Sequence, residues 1–182
     1  MSIVILDAME SENYISEALV ETIRDRGIEP LHFKLENMEI LQCRSCGACS
    51  FKSPGKCIVK DDMHDILREI AKCSVLIMLT PIRFGGYSSN LKKAADKLMH
   101  LCLPTYTVKY GHLLHPARYG TKFMLGIGVY AGNSKDEESS YKRLVENNAL
   151  NVQYKHKAIV LKQSEDIAEV KEKVACTLRE VC

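Results

Sequence analysis

Short apolar segments alternate with amphipathic segments along most of this chain, and this alternation restricts the possible folds more than any other feature. The first apolar run, Ile3 to Leu6, is continuous, as expected for a strand buried on both faces. Residues 11–26 then carry apolar side chains at helical spacing, which predicts a helix that ends at Gly27. The alternation continues through predicted strands at 31–35, 75–79, 123–130 and 158–161, and predicted helices from Asp61, from Ser88, over 136–149 and over 167–181.

An alternating order of this kind specifies an α/β fold, with a parallel sheet covered by helices on both faces. Five strands predict the order 2-1-3-4-5, which is the flavodoxin-like doubly wound arrangement. A ligand site in such a sheet lies at the carboxyl ends of the strands, near the switch point between the first and third strands. Three loops should line that site: residues 7–13, 80–88 and 130–135.

Composition and charge exclude several classes of protein. Hydrophobic residues make up 46% of the 182 residues and charged residues 26%, which is ordinary for a protein with a packed core. The net charge of +2 does not suggest a nucleic-acid partner. Apolar runs are far shorter than the roughly 20 residues of a membrane span, and the amino-terminal segment lacks the basic start of a signal peptide. We therefore expect a cytoplasmic, single-domain protein over residues 1–182, without a membrane partner, in which 103–120 form a long excursion.

The segment 36–60, after the second strand, contains four of the eight cysteines. Their spacing is C-x2-C-x2-C-x7-C, formed by Cys43, Cys46, Cys49 and Cys57. Cysteines two residues apart can direct three sulfurs to one point, and four thiolates are the usual complement of a [4Fe–4S] cluster. The stretch 42–60 contains four basic residues and no acidic one, which would offset the negative charge of such a cluster.

Other interpretations of the cysteines stay open at this point. Four thiolates also suit structural zinc, although zinc sites usually use two separated cysteine pairs. A redox disulfide relay without metal is a third interpretation, whereas a disulfide framework is not expected in a reducing cytosol. Cys73 and Cys102 suit a buried apolar role, and Cys176 and Cys182 carry no motif.

The stretch from Cys43 to about Leu98 resembles the iron–sulfur flavoproteins, a branch of the NADPH-dependent FMN reductase superfamily. Two blocks carry the resemblance: CRSCGACSFKSPGKCIVKDDM and SVLIMLTPIRFGGYSSNLKKAADKL. The first is a compact cysteine motif followed by an acidic helix start. In the second, a strand ends in the pattern S/T-P-x-x-F/M-G, and a helix begins with a small residue and Leu-Lys. The two blocks occur in the same order as in the family, and the spacing between them along the chain is the one expected for it.

The resemblance implies FMN at the strand ends and a cluster in the neighbouring loop. At matching positions, the isoalloxazine would be held by Pro81, Ile82, Arg83, Phe84, Gly85 and Gly86. The two glycines would leave backbone N–H groups open to the flavin, and the Arg83 guanidinium would stabilise an anionic reduced flavin. The third loop, a weaker match, comprises Tyr130, Ala131, Gly132 and Asn133.

The first loop departs from the family pattern. Relatives carry a Gly-Ser-Pro-Arg-x-x-Ser-Asn-Thr-like phosphate loop, whereas this chain has three acidic residues between Asp7 and Asn13. Only Ser11 and Asn13 are suited to serve a phosphate there. The sequence therefore predicts that FMN is held more weakly than in relatives with the full loop.

These features favour a redox protein that passes electrons between a one-electron carrier, such as a ferredoxin, and a two-electron acceptor. No side chain is expected to act as a nucleophile or general base, and we interpret His100, His112 and His115 as structural or surface residues. The resemblance implies a homo-oligomer, a dimer or tetramer, in which cluster and flavin of adjacent subunits approach each other. The first alternative is a flavin-free metal-binding or sensor module. The second is an FMN-dependent quinone or nitro-reductase without a cluster.

Overall fold

A computed structural model describes residues 1–10 and 13–181. In chain order its strands are β1 (Ile3–Asp7), β2 (Leu31–Lys34), β3 (Val75–Pro81), β4 (Thr107–Lys109), β5 (His112–Leu114), β6 (Phe123–Tyr130) and β7 (Lys155–Lys162). Its α-helices are α1 (Tyr14–Arg24), α2 (Ala48–Phe51), α3 (Met63–Lys72), α4 (Ser89–Ala95), α5 (Lys135–Asn151) and α6 (Ile167–Val181). Two 3-10 helices cover Leu35–Asn37 and Asp96–Leu101.

The main sheet has five parallel strands in the order β2-β1-β3-β6-β7. This confirms the predicted flavodoxin-like order, because β4 and β5 belong to a separate antiparallel hairpin. The hairpin lies inside the excursion 103–120 and was not predicted. Its two-residue turn places Tyr110 and Gly111 at positive φ, as a type I′ turn requires, and tyrosine is not a usual signal for that turn.

Alternate residues of each central strand face opposite sides of the sheet. Val4 and Leu76 belong to a core shared with α3, α4 and α5, whereas Ile5 and Ile77 belong to a core shared with α1 and α6. The continuous apolar runs seen in the sequence are thus explained by burial of both faces. Among the described residues, none of the helices combines the length and apolar character needed to cross a bilayer.

Several element boundaries differ from those predicted, among them the end of the helix from Ser88 and the start of the last strand. The helix expected from Ser88 is α-helical only to Ala95 and continues as a 3-10 helix to Leu101. The last strand begins at Lys155 rather than Ala158. It is an edge strand paired only with β6, so its first residues are partly or fully exposed and polar, and apolar patterning does not detect them.

Two glycines of β6 allow α5 to approach the sheet closely. A Cβ on Gly126 would lie 2.5 Å from the Cγ2 atom of Val145, and one on Gly128 would lie 2.7 Å from the Cε1 atom of Tyr141. Both contacts are closer than real Cβ atoms tolerate. These glycines therefore serve helix packing.

A buried ion pair fastens the cysteine-rich segment to the core. The ammonium of Lys97 donates to the Oδ2 atom of Asp61, and the two side chains are 1% and 0% exposed. The same oxygen accepts the backbone N–H of Leu41 at 2.8 Å. The chain entering the cysteine motif is therefore anchored at the start of α3, two residues before Cys43.

Candidate functional site

The four cysteines of the motif line one small cavity, which we call the cysteine cavity. It encloses about 30 Å³, and its wall includes Cys43, Cys46, Cys49 and Cys57 together with His100. Cys43 and Cys46 are exposed, whereas Cys49 and Cys57 are half-buried. The structure thus places all four cysteines around a common space, at the surface and next to the 3-10 helix that carries His100.

The backbone of the motif turns sharply to achieve this. Ser45 and Gly47 adopt positive φ angles of 50° and 67°, and Gly47 is the N-cap of α2. A Cβ on Gly47 would lie 3.3 Å from the ring of Phe51, so glycine suits both the angle and the space. A second turn at Gly55, also at positive φ, lies against the guanidinium of Arg118 and leads to Cys57.

Burial raises the pKa of the Cys49 thiol, and the charges of Cys43 and Cys57 raise it further. Like-charge repulsion of this kind is relieved when a metal centre binds the thiolates. The basic residues of the segment, Arg44, Lys52, Lys56 and Lys60, are all exposed. Across residues 1–10 and 13–181, the His, Cys, Asp and Glu side chains form no assembled group of three or more that could hold a metal ion. The donor set around the cavity nevertheless fits a four-thiolate centre.

A second candidate site lies at the carboxyl edge of the sheet, where the three predicted loops meet. A cavity of about 80 Å³ is lined there by Asn13 from the first loop, by Pro81, Ile82 and Arg83 from the second, and by Ala131 from the third. An ion pair also joins the first and second loops, because the Arg83 guanidinium lies 3.7 Å from a carboxylate oxygen of Glu10. This edge is where a doubly wound sheet binds its ligands.

The rest of the second loop forms a tight turn. The backbone N–H groups of Arg83 and Gly86 each donate to the other residue's carbonyl, at 3.0 and 2.8 Å. Gly86 therefore lacks the open N–H that we expected. Phe84 stands at the tip, 99% exposed and at positive φ, and Gly85 packs against α5.

The third loop is organised around Tyr130, which is buried. Its ring lies where a side chain on Gly132 would be, and its hydroxyl accepts the backbone N–H of Ser134 at 3.1 Å. Asn133 is exposed. Of the residues predicted here, the structure brings only Ala131 to the cavity at the sheet edge.

The first loop uses its own acceptors to satisfy its donors. The buried carboxylate of Asp7 accepts hydrogen bonds from the backbone N–H of Met9, at 2.9 Å, and from the hydroxyl of Ser16. Its Oδ2 atom also lies 2.8 Å from the Nε2 atom of His32. Asn13 caps α1, because its side-chain oxygen accepts the N–H of Ile15 at 3.0 Å. Ser11, the other predicted phosphate residue, lies outside the described residues. The backbone N–H groups of Met9 and Ile15 are thus already paired with protein oxygens.

Sequence reasoning missed several residues of the two sites. Met9, Glu10, Val129 and Gln163 also line the cavity at the sheet edge. Gln163 follows β7, so the rule that ligands bind at carboxyl strand ends would have suggested it. His100 was not connected with the cysteines, because 43 residues separate it from Cys57 and their proximity depends on tertiary structure alone.

One protein family and several curated proteins are similar to this chain in sequence. The model of a family described as NADPH-dependent FMN reductase matches residues 1–114. Iron–sulfur flavoproteins are similar to part of the chain: one from Methanosarcina thermophila is 28% identical over 92 residues, covering 50% of this chain and 47% of that protein. One from Methanocaldococcus jannaschii is 35% identical over 83 residues, covering 46% and 42%. One from Archaeoglobus fulgidus is 27% identical over 122 residues, covering 67% and 49%. The chain therefore spans only about half the length of these curated relatives.

Solved structures resemble the whole chain in fold. The NAD(P)H:quinone oxidoreductase from Methanothermobacter marburgensis superposes with a TM-score of 0.75 at 14% identity, covering 100% of this chain and 99% of that chain. An FMN-dependent NADH-azoreductase from Bacillus anthracis, solved in complex with FMN, superposes with a TM-score of 0.67 at 12% identity, covering 99% and 97%. At these identities the likeness concerns the fold.

Proposed function

The chain belongs to the NADPH-dependent FMN reductase family, in its iron–sulfur flavoprotein branch, and from this premise we propose that it transfers electrons between a [4Fe–4S] cluster and FMN. The observation that carries the proposal is the arrangement of Cys43, Cys46, Cys49 and Cys57 around one cavity. Four thiolates are the ligand set of such a cluster. The exposed basic residues of the segment would offset its negative charge.

The chain's own residues have distinct tasks in this proposal. The four cysteines would hold the cluster, and the loop from Pro81 to Arg83, which lines the cavity at the sheet edge, would contact the flavin ring. The guanidinium of Arg83 is exposed, and the one ion pair that it forms among the described residues, with Glu10, is loose. It would therefore be available to a reduced, anionic flavin. A bound flavin supplies an acceptor that takes electrons singly or in pairs. A ferredoxin-like electron carrier would deliver single electrons to the exposed side of the cysteine cavity.

Analysis of one anaerobically purified sample tests this function. Iron, acid-labile sulfide, zinc and flavin should be measured on the same protein. We expect about four iron and four sulfide per chain, as a [4Fe–4S] cluster requires, together with flavin and without stoichiometric zinc. Stoichiometric zinc, or flavin without iron, would contradict the proposal; the second result is that of a cluster-free quinone or nitro-reductase.

The first loop favours one alternative function, a metal-binding or sensor module without flavin. Asp7 and Asn13 already bind the backbone N–H groups of Met9 and Ile15, which are donors of the kind that a phosphate would use. The visible spectrum separates the two functions, because flavin has resolved bands in the blue whereas a cluster alone has a broad brown shoulder. Resolved flavin bands in the anaerobic protein would exclude this alternative.

We predict that FMN gains little affinity from its phosphate in this protein. A phosphate normally binds open backbone N–H groups at a helix N-terminus, but here the N–H of Ile15 is capped by Asn13 and the N–H of Met9 is bound by Asp7. Repulsion from the neighbouring acidic residues should weaken FMN binding by about one to two orders of magnitude relative to an open loop. Calorimetric titration of the apo-protein with FMN and with riboflavin should show similar dissociation constants. A large advantage for FMN would show that the loop is competent.

We also propose that the chain forms a homo-oligomer through the β4–β5 hairpin. Val108, Tyr110 and Leu113 are 75%, 76% and 67% exposed on this hairpin, and apolar side chains grouped in this way mark association sites. Replacing Val108 and Leu113 together by aspartate should shift the mass measured by light scattering to that of a monomer. An unchanged mass would show that the hairpin is not the contact. The matched control is Lys109→Asp, which adds charge on the same strand without removing apolar surface.

A further inference from the structure

A second, larger cavity adjoins the cysteine motif at Cys57, and we call it the α3 cavity. It encloses about 550 Å³ between α3, the 3-10 helix and the turn that carries Lys56 and Cys57. Small-molecule sites in proteins have volumes of this size. Cys57 and His100 line both the α3 cavity and the cysteine cavity, so the two spaces are neighbours.

The walls of the α3 cavity are apolar at depth and cationic at the mouth. Leu67 and Leu101 are buried in its lining, with exposed Tyr119 beside them. The side chains of Arg68 and Lys72 are 73% and 70% exposed, and Lys56 is also exposed. Arg68 and Lys72 each pair with an acid on their own helix, and these exposed pairs are weak enough to be exchanged for a ligand anion.

His100 supplies an unused polar atom in this lining. Its Nδ1 atom lies 2.5 Å from the backbone carbonyl of Lys97, and because a carbonyl only accepts, Nδ1 carries the proton. In the neutral ring the Nε2 atom then presents a lone pair. The residue is 4% exposed, and Nε2 has no hydrogen-bond partner among the described residues. A buried acceptor of this kind destabilises the protein unless a donor reaches it.

The proposed cluster does not use this lone pair. Four cysteine thiolates complete the ligand set of a [4Fe–4S] cluster, so no iron site is left for a nitrogen of His100. The inference below rests on the proposed function in this respect only. A hydroxyl or N–H group in the α3 cavity is then the partner that His100 lacks.

We propose that the α3 cavity binds a small aromatic acid that carries a hydroxyl group, with the hydroxyl on His100 and the acid at the cationic mouth. The aromatic body fits the buried leucines and Tyr119. The hydroxyl donates to Nε2 at depth. The carboxylate stays near Lys56, Arg68 and Lys72, where it keeps part of its hydration. The ligand would lie against Cys57, a residue of the proposed cluster site.

Calorimetric titration of the anaerobic protein, as purified, with 6-hydroxy-2-naphthoate and with 2-naphthoate tests the proposal. The two probes differ only in the hydroxyl, and the hydroxylated probe should bind about tenfold more tightly, as one added hydrogen bond to a buried acceptor predicts. In His100→Phe, which keeps a ring but lacks the acceptor, the two probes should bind alike. Lys56→Gln should weaken both probes, whereas Lys60→Gln, an exposed change in the same segment outside the cavity lining, should weaken neither.

Three results would overturn the inference: no binding of either probe, equal binding of both to the unmodified protein, or an unchanged preference in His100→Phe. Loss of iron from His100→Phe would also overturn it, because Nε2 would then serve the metal. The proposed function is contradicted by a different result, namely an unmodified protein that lacks iron or flavin. If such a protein still bound the probes as expected, the α3 cavity would remain the binding site of an aromatic acid.

Discussion

Replacing Cys46 by serine is expected to remove most of the iron and sulfide from the anaerobically purified protein. Cys46 lines the cysteine cavity with the other three cysteines of the motif. A serine hydroxyl is a hard, protonated group at neutral pH, whereas iron–sulfur clusters need soft thiolates. The same loss is expected for serine at Cys43, Cys49 or Cys57. Iron and sulfide per chain, together with absorbance of the brown shoulder, measure the effect.

The matched control is Cys176→Ser. Cys176 is an exposed cysteine on α6, away from both candidate sites, so its replacement should leave iron and sulfide unchanged. Cys73→Ser is a second control in the core, where Cys73 is 3% exposed. Full iron retention in Cys46→Ser would rule out a cluster held by all four cysteines of the motif.

Replacing Lys97 by methionine is expected to destabilise the fold by about 3–5 kcal/mol. Methionine has a similar length but no charge, so the carboxylate of Asp61 would remain buried without its cation. The backbone N–H groups of Leu41 and Met63 would be its remaining partners. Urea unfolding followed by circular dichroism gives the change in the free energy of unfolding.

An exposed pair on the preceding helix serves as the control for this change. Lys92 and Asp96 form an ion pair whose side chains are 55% and 43% exposed. Lys92→Met should therefore cost less than about 1 kcal/mol. If Lys97→Met cost no more than Lys92→Met, the buried pair would not be the anchor of the cysteine-rich segment. Because Leu41 is tied to Asp61, Lys97→Met should also lower the amount of iron retained on mild warming.

The order of the main sheet could be predicted from the sequence because its central strands are buried on both faces. Runs such as Val75 to Leu79 are apolar at every position, which indicates a strand that is buried on both faces in the middle of the sheet. The carboxyl ends of those strands then locate the site at the sheet edge without further information. The cysteine motif could be predicted for a different reason, because its spacing is local. Cys43, Cys46 and Cys49 follow one another at intervals of only three positions in the chain.

Other features depend on contacts between distant residues and left no local signal. The pairing of Asp61 with Lys97 joins residues 36 positions apart, and charged residues are ordinarily assigned to the surface. Asp7 is one of the three acidic residues on which the prediction of weak FMN binding rests, yet its carboxylate is buried and bound by Met9, Ser16 and His32. The prediction of an open N–H at Gly86 was wrong, because this N–H donates to the backbone carbonyl of Arg83 within a tight turn. Spacing alone does not show which polar groups a turn consumes.

We propose that electrons pass between the cluster and the flavin of this protein. The most direct measurement is the rate of flavin reduction after anaerobic mixing with a reduced bacterial-type ferredoxin, followed at the blue flavin band. A protein donor delivers single electrons at the surface, where Cys43 and Cys46 are exposed. We expect fast bleaching of the flavin in the unmodified protein and in Cys176→Ser, and slow bleaching in Cys46→Ser with the same flavin content. Equal rates in all three proteins would contradict it.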